Sequence, residues 1–202
     1  MKTLGIIGGL GPESTVDYYQ RIIALYRERT GDGHYPEFVI VSIDLRKGLD
    51  FMEANDLSGM GNFLLEAIGK LARGGADFGI ISANTPHIVF DEITPKSPIP
   101  LMSIVEATCA AAKAQNLKRL ALFGTRYTMR AAFYPKAFVR EGIELFVPER
   151  RDQEYIHDKY MVNVTTMLSP MVVDLKSLNV NLPKFIPFRR AISPARSRIP
   201  SG

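Results

Sequence analysis

The chain carries one cysteine, Cys109, and only three histidines in 202 residues. A lone thiol cannot close an internal disulfide, and no Cys/His cluster stands at ligand spacing, so a disulfide scaffold and a zinc site are both excluded. No apolar run approaches the roughly 18 residues that a membrane span needs. The N-terminus has a single lysine before it turns glycine-rich, which does not describe a secretion signal. Acid is missing from positions 176–202, where Lys176, Lys184, Arg189, Arg190, Arg196 and Arg198 supply six of the 25 basic residues. Positions 1–175 therefore hold 19 basic against 21 acidic side chains, so the net charge of +4 belongs to the tail and not to a nucleic-acid-binding face. What remains, 46% apolar and 23% charged residues, is the make-up of a packed globular protein of the reducing cytoplasm with no nucleic-acid or membrane partner.

Strand and helix signals alternate from the start. The apolar run Leu4 to Ile7 ends in glycines, and Thr15 to Tyr26 follows with helical periodicity. Phe38 to Ile43 reads as a second buried strand, Gly61 to Leu71 as a helix and Phe78 to Ser82 as a third strand. This βαβαβ order predicts a parallel sheet with helices on both faces. An alanine-rich helix is expected from Ser103 to Ala114, after Pro98 and Pro100.

The chain then begins again. Lys2-Thr-Leu-Gly-Ile-Ile-Gly8 is echoed by Lys118-Arg-Leu-Ala-Leu-Phe-Gly124, and each precedes a hydroxyl-bearing helix start, Ser14 to Tyr19 and Thr128 to Tyr134. Ile143 to Val147 repeats the second strand. An internal duplication into two α/β lobes follows, residues 1–100 and 101–175. The second lobe lacks a counterpart to the third strand, and positions 176–202, with Pro183, Pro187, Pro194 and Pro200, read as a basic irregular tail. Either the C-terminus is truncated or replaced, as a shifted reading frame would do, or the tail is irregular in its own right.

Two clusters can carry chemistry. Gly8-Gly-Leu-Gly-Pro-Glu-Ser-Thr15 joins a strand to a helix, with glycines that let backbone amides approach an anion and Pro12 suited to the first helical turn. Ser14 and Thr15 can assist; the alternative is a tight turn that simply needs glycine. As a dinucleotide fingerprint the segment fails, because Ser14 replaces the third glycine and Asp44 lies too far along. The second cluster, Ser82-Ala-Asn-Thr-Pro-His87, falls at the C-terminal end of a strand, where open α/β sheets bind ligands. Asn84 and Thr85 can donate to a carboxylate, and His87 can orient, titrate or be satisfied internally.

GGLGPEST after the first strand, Leu45-Arg-Lys47 after the second, Ala83-Asn-Thr-Pro-His87 after the third and Val105-Glu-Ala-Thr-Cys109 in the next helix together resemble the aspartate/glutamate racemase family over about residues 1–165. The resemblance implies two pseudo-symmetric flavodoxin-like lobes with parallel sheets, the second incomplete, and a site between them. It further implies an isomerase that interconverts L and D acidic amino acids without pyridoxal phosphate or other cofactor, using one cysteine per lobe as base and acid. The first of those cysteines falls at Ala83, which cannot transfer a proton, and the second would lie in the strand that the second lobe lacks. Cys109, among Ala107, Ala110 and Ala111, reads as a packed, inert thiol. By the same resemblance Leu10, Gly11, Arg46, Asn84, Thr85 and Lys159 hold the substrate. The expected partners are an acidic amino acid and, at most, a second copy of the chain. Two other readings stay open: a carboxylate-binding homologue that has lost its bases, and a nucleotide-binding protein using the glycine loop.

Overall fold

A computed structural model describes residues 2–166. The first strand, β1 (Leu4–Gly8), buries Ile6 and Ile7 completely, as a central parallel strand covered on both sides must. It pairs in parallel with β2 (Phe38–Ser42) on one edge and β3 (Phe78–Ile81) on the other, and β3 pairs with β4 (Leu101–Met102). The order β2-β1-β3-β4 brings the C-terminal ends of β1 and β3 side by side. Between the strands run α1 (Pro12–Thr30), α2 (Leu45–Glu53) and α3 (Leu57–Arg73). In α3, Met60, Leu64, Ala67, Ile68 and Leu71 form one buried stripe at helical spacing, and Asp56 caps the N-terminus by accepting from the Gly59 amide. After β3 the chain passes through a 3-10 turn (Thr85–Val89), the short α4 (Phe90–Ile93) and another 3-10 turn (Thr94–Lys96).

The second lobe begins with α5 (Ile104–Ala114), whose cap Ser103 accepts from the amides of Val105 and Glu106. It continues as β5 (Arg119–Ala121), α6 (Arg126–Arg130), α7 (Phe133–Arg140), β6 (Glu144–Phe146) and α8 (Arg150–Thr166). β5 and β6 form a separate parallel pair. Each lobe has its own core: Ile7, Leu64, Ile68 and Ile81 anchor the first, Val105, Cys109, Phe138 and Ile143 the second.

The repeat extends to packing detail. A Cβ on Gly8 would meet Thr15 Cγ2 at 2.5 Å, and one on Gly124 would meet Thr128 Cβ at 3.3 Å. In both lobes a glycine, the last residue of β1 or three residues past β5, admits the hydroxyl-bearing residue of the following helix. The structure departs from the sequence expectations in several places, among them α4 and α8, which fall in stretches assigned no element. It adds α2, in a stretch read only as a motif. It adds the two-residue β4, too short for a periodicity. It splits the expected helix Thr128 to Tyr134 into α6 and α7, because Ala131 takes an extended conformation (φ −77, ψ 154). The tail at 176–202 and the place of a third strand in the second lobe lie outside the described residues.

Candidate functional site

A cavity of about 450 Å³ lies between the lobes. The glycine loop, α2, the turn after β3, α5, the turn after β5 and the end of α8 all contribute to it. The strand-end position is where backbone groups and helix starts converge in parallel sheets.

The glycine loop is locked by hydroxyls. Gly9, at φ +88, donates its amide to Thr15 Oγ1 at 3.0 Å. Ser82 Oγ donates to the Ile7 carbonyl at 3.0 Å and lies 3.2 Å from Thr15 Oγ1, which also reaches the Gly11 carbonyl at 3.4 Å. Thr15 is thus consumed in tying the loop to the end of β3, and Ser14 is the hydroxyl of this loop that faces the cavity. Gly11 supplies a left-handed cap at φ 116, with no side chain capping α1, and Pro12 follows it. Gly48 of α2 admits Leu10: a Cβ there would lie 2.8 Å from Leu10 Cδ2.

Ala83, Asn84 and Thr85 line the cavity, and each is engaged across the lobe boundary or next to it. Tyr134 donates its hydroxyl to Asn84 Oδ1 at 2.5 Å. Thr85 Oγ1 lies 2.8 Å from Thr125 Oγ1 and 3.2 Å from Thr128 Oγ1, and those two are 3.2 Å apart. This hydroxyl triangle was not anticipated as a site. Its signal was present in the duplication, since Gly124-Thr-Arg-Tyr-Thr128 occupies the place of the glycine loop in the second lobe.

His87 is turned away. It is 2% exposed, stacks on Phe90, donates Nδ1–H to the Ala83 carbonyl at 3.0 Å and accepts the Ile104 amide at Nε2 at 3.2 Å. Those partners select the neutral Nδ1–H tautomer, and burial pushes its pKa down to about 4. Of the alternatives weighed for His87, internal satisfaction is the one observed. Cys109 is buried in the second core with Sγ 3.7 Å from the Ala137 carbonyl, and burial raises its pKa. It does not line the cavity.

Arg46 and Lys159 are not gathered at the cavity wall. Leu45, Gly48 and Leu49 face inward, whereas the Arg46 guanidinium, 59% exposed, bonds Asp50 Oδ1 through Nε and Glu53 Oε2 through Nη2, each at 2.7 Å. Lys159 Nζ sits 5.7 Å from the Tyr155 ring centroid, while its neighbours Tyr160 and Met161 line the cavity. Both cations are thus sequence neighbours of wall residues without lining the cavity themselves.

The described lining carries no charged side chain, histidine or thiol. Its polar groups are hydroxyls and amides. Burial raises the pKa values of Tyr18 (to about 12), Tyr134 and Tyr160, so these phenols stay protonated at neutral pH. Such a wall can hold an anion through neutral donors, but it offers no group that would take a proton from carbon near pH 7.

The profile of the Asp/Glu/Hydantoin racemase family matches residues 7–169. The chain belongs to that family. An aspartate racemase homologue from Pyrococcus horikoshii is 34% identical, with a TM-score of 0.69 over 83% of this chain and 73% of that one. A putative Asp/Glu racemase from Yersinia pestis is 30% identical, with a TM-score of 0.74 over 84% and 74%. The broad specificity amino-acid racemase RacX of Bacillus subtilis is 28% identical over 145 residues, which span 70% of this chain and 63% of RacX. This member of the Asp/Glu racemase family thus shares the α/β architecture of parallel sheets with its structural neighbours, while covering less than two thirds of that curated relative.

Proposed function

We propose that the interlobe cavity binds an acidic amino acid by its carboxylates and that this chain is impaired in transferring the α-proton. The carrying observation is the cavity wall itself: hydroxyl and amide donors from Ser14, Asn84, Thr85 and Thr125, with Ala83 among them and no carboxylate, histidine, amine or thiol in the described lining. Leu10 shapes the first-lobe side of the pocket, and Gly11, which does not line it, supplies the left-handed turn into α1. Arg46 and Lys159, beside wall residues in sequence, supply positive charge, and Arg46 reaches the ligand by leaving Asp50 and Glu53. These pairs are exposed and screened by solvent, so exchanging them for a ligand carboxylate costs little.

Racemisation needs a proton acceptor on one face of the α-carbon and a donor on the other. The reading places the missing first base at Ala83 and, since Cys109 is the only cysteine of the chain, leaves the second without a thiol. No cofactor enters the scheme, because both transfers belong to side chains. Incubating the chain with L- or D-aspartate, or glutamate, in deuterated water tests it. Saturable binding without α-deuterium supports the reading; absence of binding, or deuterium incorporation with inversion, overturns it.

A further inference from the structure

A carboxylate only accepts hydrogen bonds, whereas an asparagine amide has an accepting end and a donating end. Rotation about χ2 of asparagine is soft and roughly two-fold, so an unrestrained Asn84 would present its oxygen to the cavity part of the time and repel the ligand it is meant to hold. Something has to choose the end. The Tyr134 hydroxyl donates to Asn84 Oδ1 at 2.5 Å, and both residues line the cavity.

Tyr134 is well suited to that choice. It is 5% exposed and its ring is wedged between Phe133 and Phe138, at centroid distances of 5.3 and 5.9 Å. Burial holds its phenol protonated far above neutral pH, so the hydroxyl always has a hydrogen to give. The neighbouring Thr108 hydroxyl donates to the Ile104 carbonyl at 2.7 Å, so it does not donate to the phenol at the same time. The tyrosine comes from α7 of the second lobe and the asparagine from the turn after β3 of the first, so the contact also couples the amide to the seating of the lobes.

We propose that Tyr134 is a positioning residue that pins Asn84 Oδ1 and thereby turns both Nδ2–H donors toward the ligand carboxylate. The inference rests on the carboxylate-binding reading above. It makes Tyr134 a determinant of affinity for anionic ligands although its own hydroxyl is spent on a protein partner.

The test is a double-mutant cycle, with L-aspartate as probe in calorimetric titrations, on Tyr134→Phe, Asn84→Ala and the pair. Tyr134→Phe should weaken binding about tenfold, the effect of one charge-assisted hydrogen bond. In the Asn84→Ala background the same change should shift affinity less than twofold. A full tenfold loss in that background, or an unaltered affinity of Tyr134→Phe, overturns the proposal. A ligand-free readout separates this from the function itself: the Asn84 side-chain amide proton pair, followed by ¹⁵N-resolved NMR. Tyr134→Phe should shift that pair, and an unshifted pair overturns the positioning role. If unmodified protein binds no aspartate, the proposed function falls while the amide resonances still decide the role of Tyr134. Should Tyr134→Phe not fold, the Tyr134 hydroxyl proton of the unmodified chain decides instead: bonded to Asn84 Oδ1 it is protected from exchange, and a hydroxyl proton in rapid exchange with solvent overturns the proposal.

Discussion

His87 Nε2 accepts the backbone amide of Ile104 at 3.2 Å, and so a single imidazole joins the turn that carries Ala83, Asn84 and Thr85 to the first turn of α5. The amide must donate and the ring must accept, so the contact exists only while His87 is neutral. Its folded pKa of about 4 lies below the ordinary 6.5, and the unfolded chain therefore binds a proton that the fold refuses. The contribution is fully present above about pH 6.5 and is lost as pH falls toward 4. Chemical denaturation should show about 3 kcal/mol of stability disappearing across that window. His87→Leu should remove this part of the pH dependence and leave the Ile104 amide unpaired, at about 1–3 kcal/mol.

Gly9 is the position of the glycine loop that tolerates a side chain least. At φ +88, a Cβ would stand 2.1 Å from the Ile43 carbonyl oxygen, which is backbone and cannot step aside. Gly9→Ala should destabilise the protein by about 2 kcal/mol or more, measured by thermal unfolding. Gly11 has a positive φ but only Ser14 near it, at 3.5 Å and beyond, so Gly11→Ala should cost less than Gly9→Ala.

The contrast between these two glycines shows what was legible in the sequence. Glycine, proline and hydroxyl residues between a strand and a helix announced the loop, and the echo of Lys2 to Gly8 in Lys118 to Gly124 announced the second lobe, because backbone constraints leave a mark on local composition. Which hydroxyl faces the cavity did not show. Thr15 and Ser14 are adjacent, yet Thr15 is bound into the loop by Gly9 and Ser82, contacts that are respectively six and 67 residues distant. His87 was equally undecided in sequence, since its partner Ile104 lies 17 residues on, past β4. The Thr85, Thr125 and Thr128 triangle needed the lobes side by side before it existed. The family motifs carried the fold further than the site, because strand ends are set by local pattern and side-chain directions by tertiary packing.

Arg46 stands in the first turn of α2, after the end of β2, and its planar fork suits two parallel hydrogen bonds to a carboxylate. Arg46→Lys should weaken L-aspartate binding in calorimetric titrations. Unchanged affinity would take Arg46 out of the site and leave it as the partner of Asp50 and Glu53.

In the proposed function, Ala83→Cys would supply one proton-transfer group at the first-lobe wall of the cavity. Because inversion needs groups on both faces of the α-carbon, this variant should exchange the α-proton on one face at most and give little inversion. Proton NMR in deuterated water separates exchange from inversion when combined with chiral analysis of the product. Interconversion of L- and D-aspartate by Ala83→Cys at about 1 per second or faster would reveal a second base elsewhere.

The most direct measurement uses the unmodified 202-residue chain. Purified protein is titrated with L-aspartate and, in parallel, incubated with it in deuterated water while the α-proton signal and the enantiomer ratio are followed. Saturable binding with an intact α-proton and no D-aspartate is the predicted result. Loss of the α-proton signal together with D-aspartate at an ordinary enzymatic rate would contradict the account and shift attention to the hydroxyls of Thr85, Thr125 and Thr128.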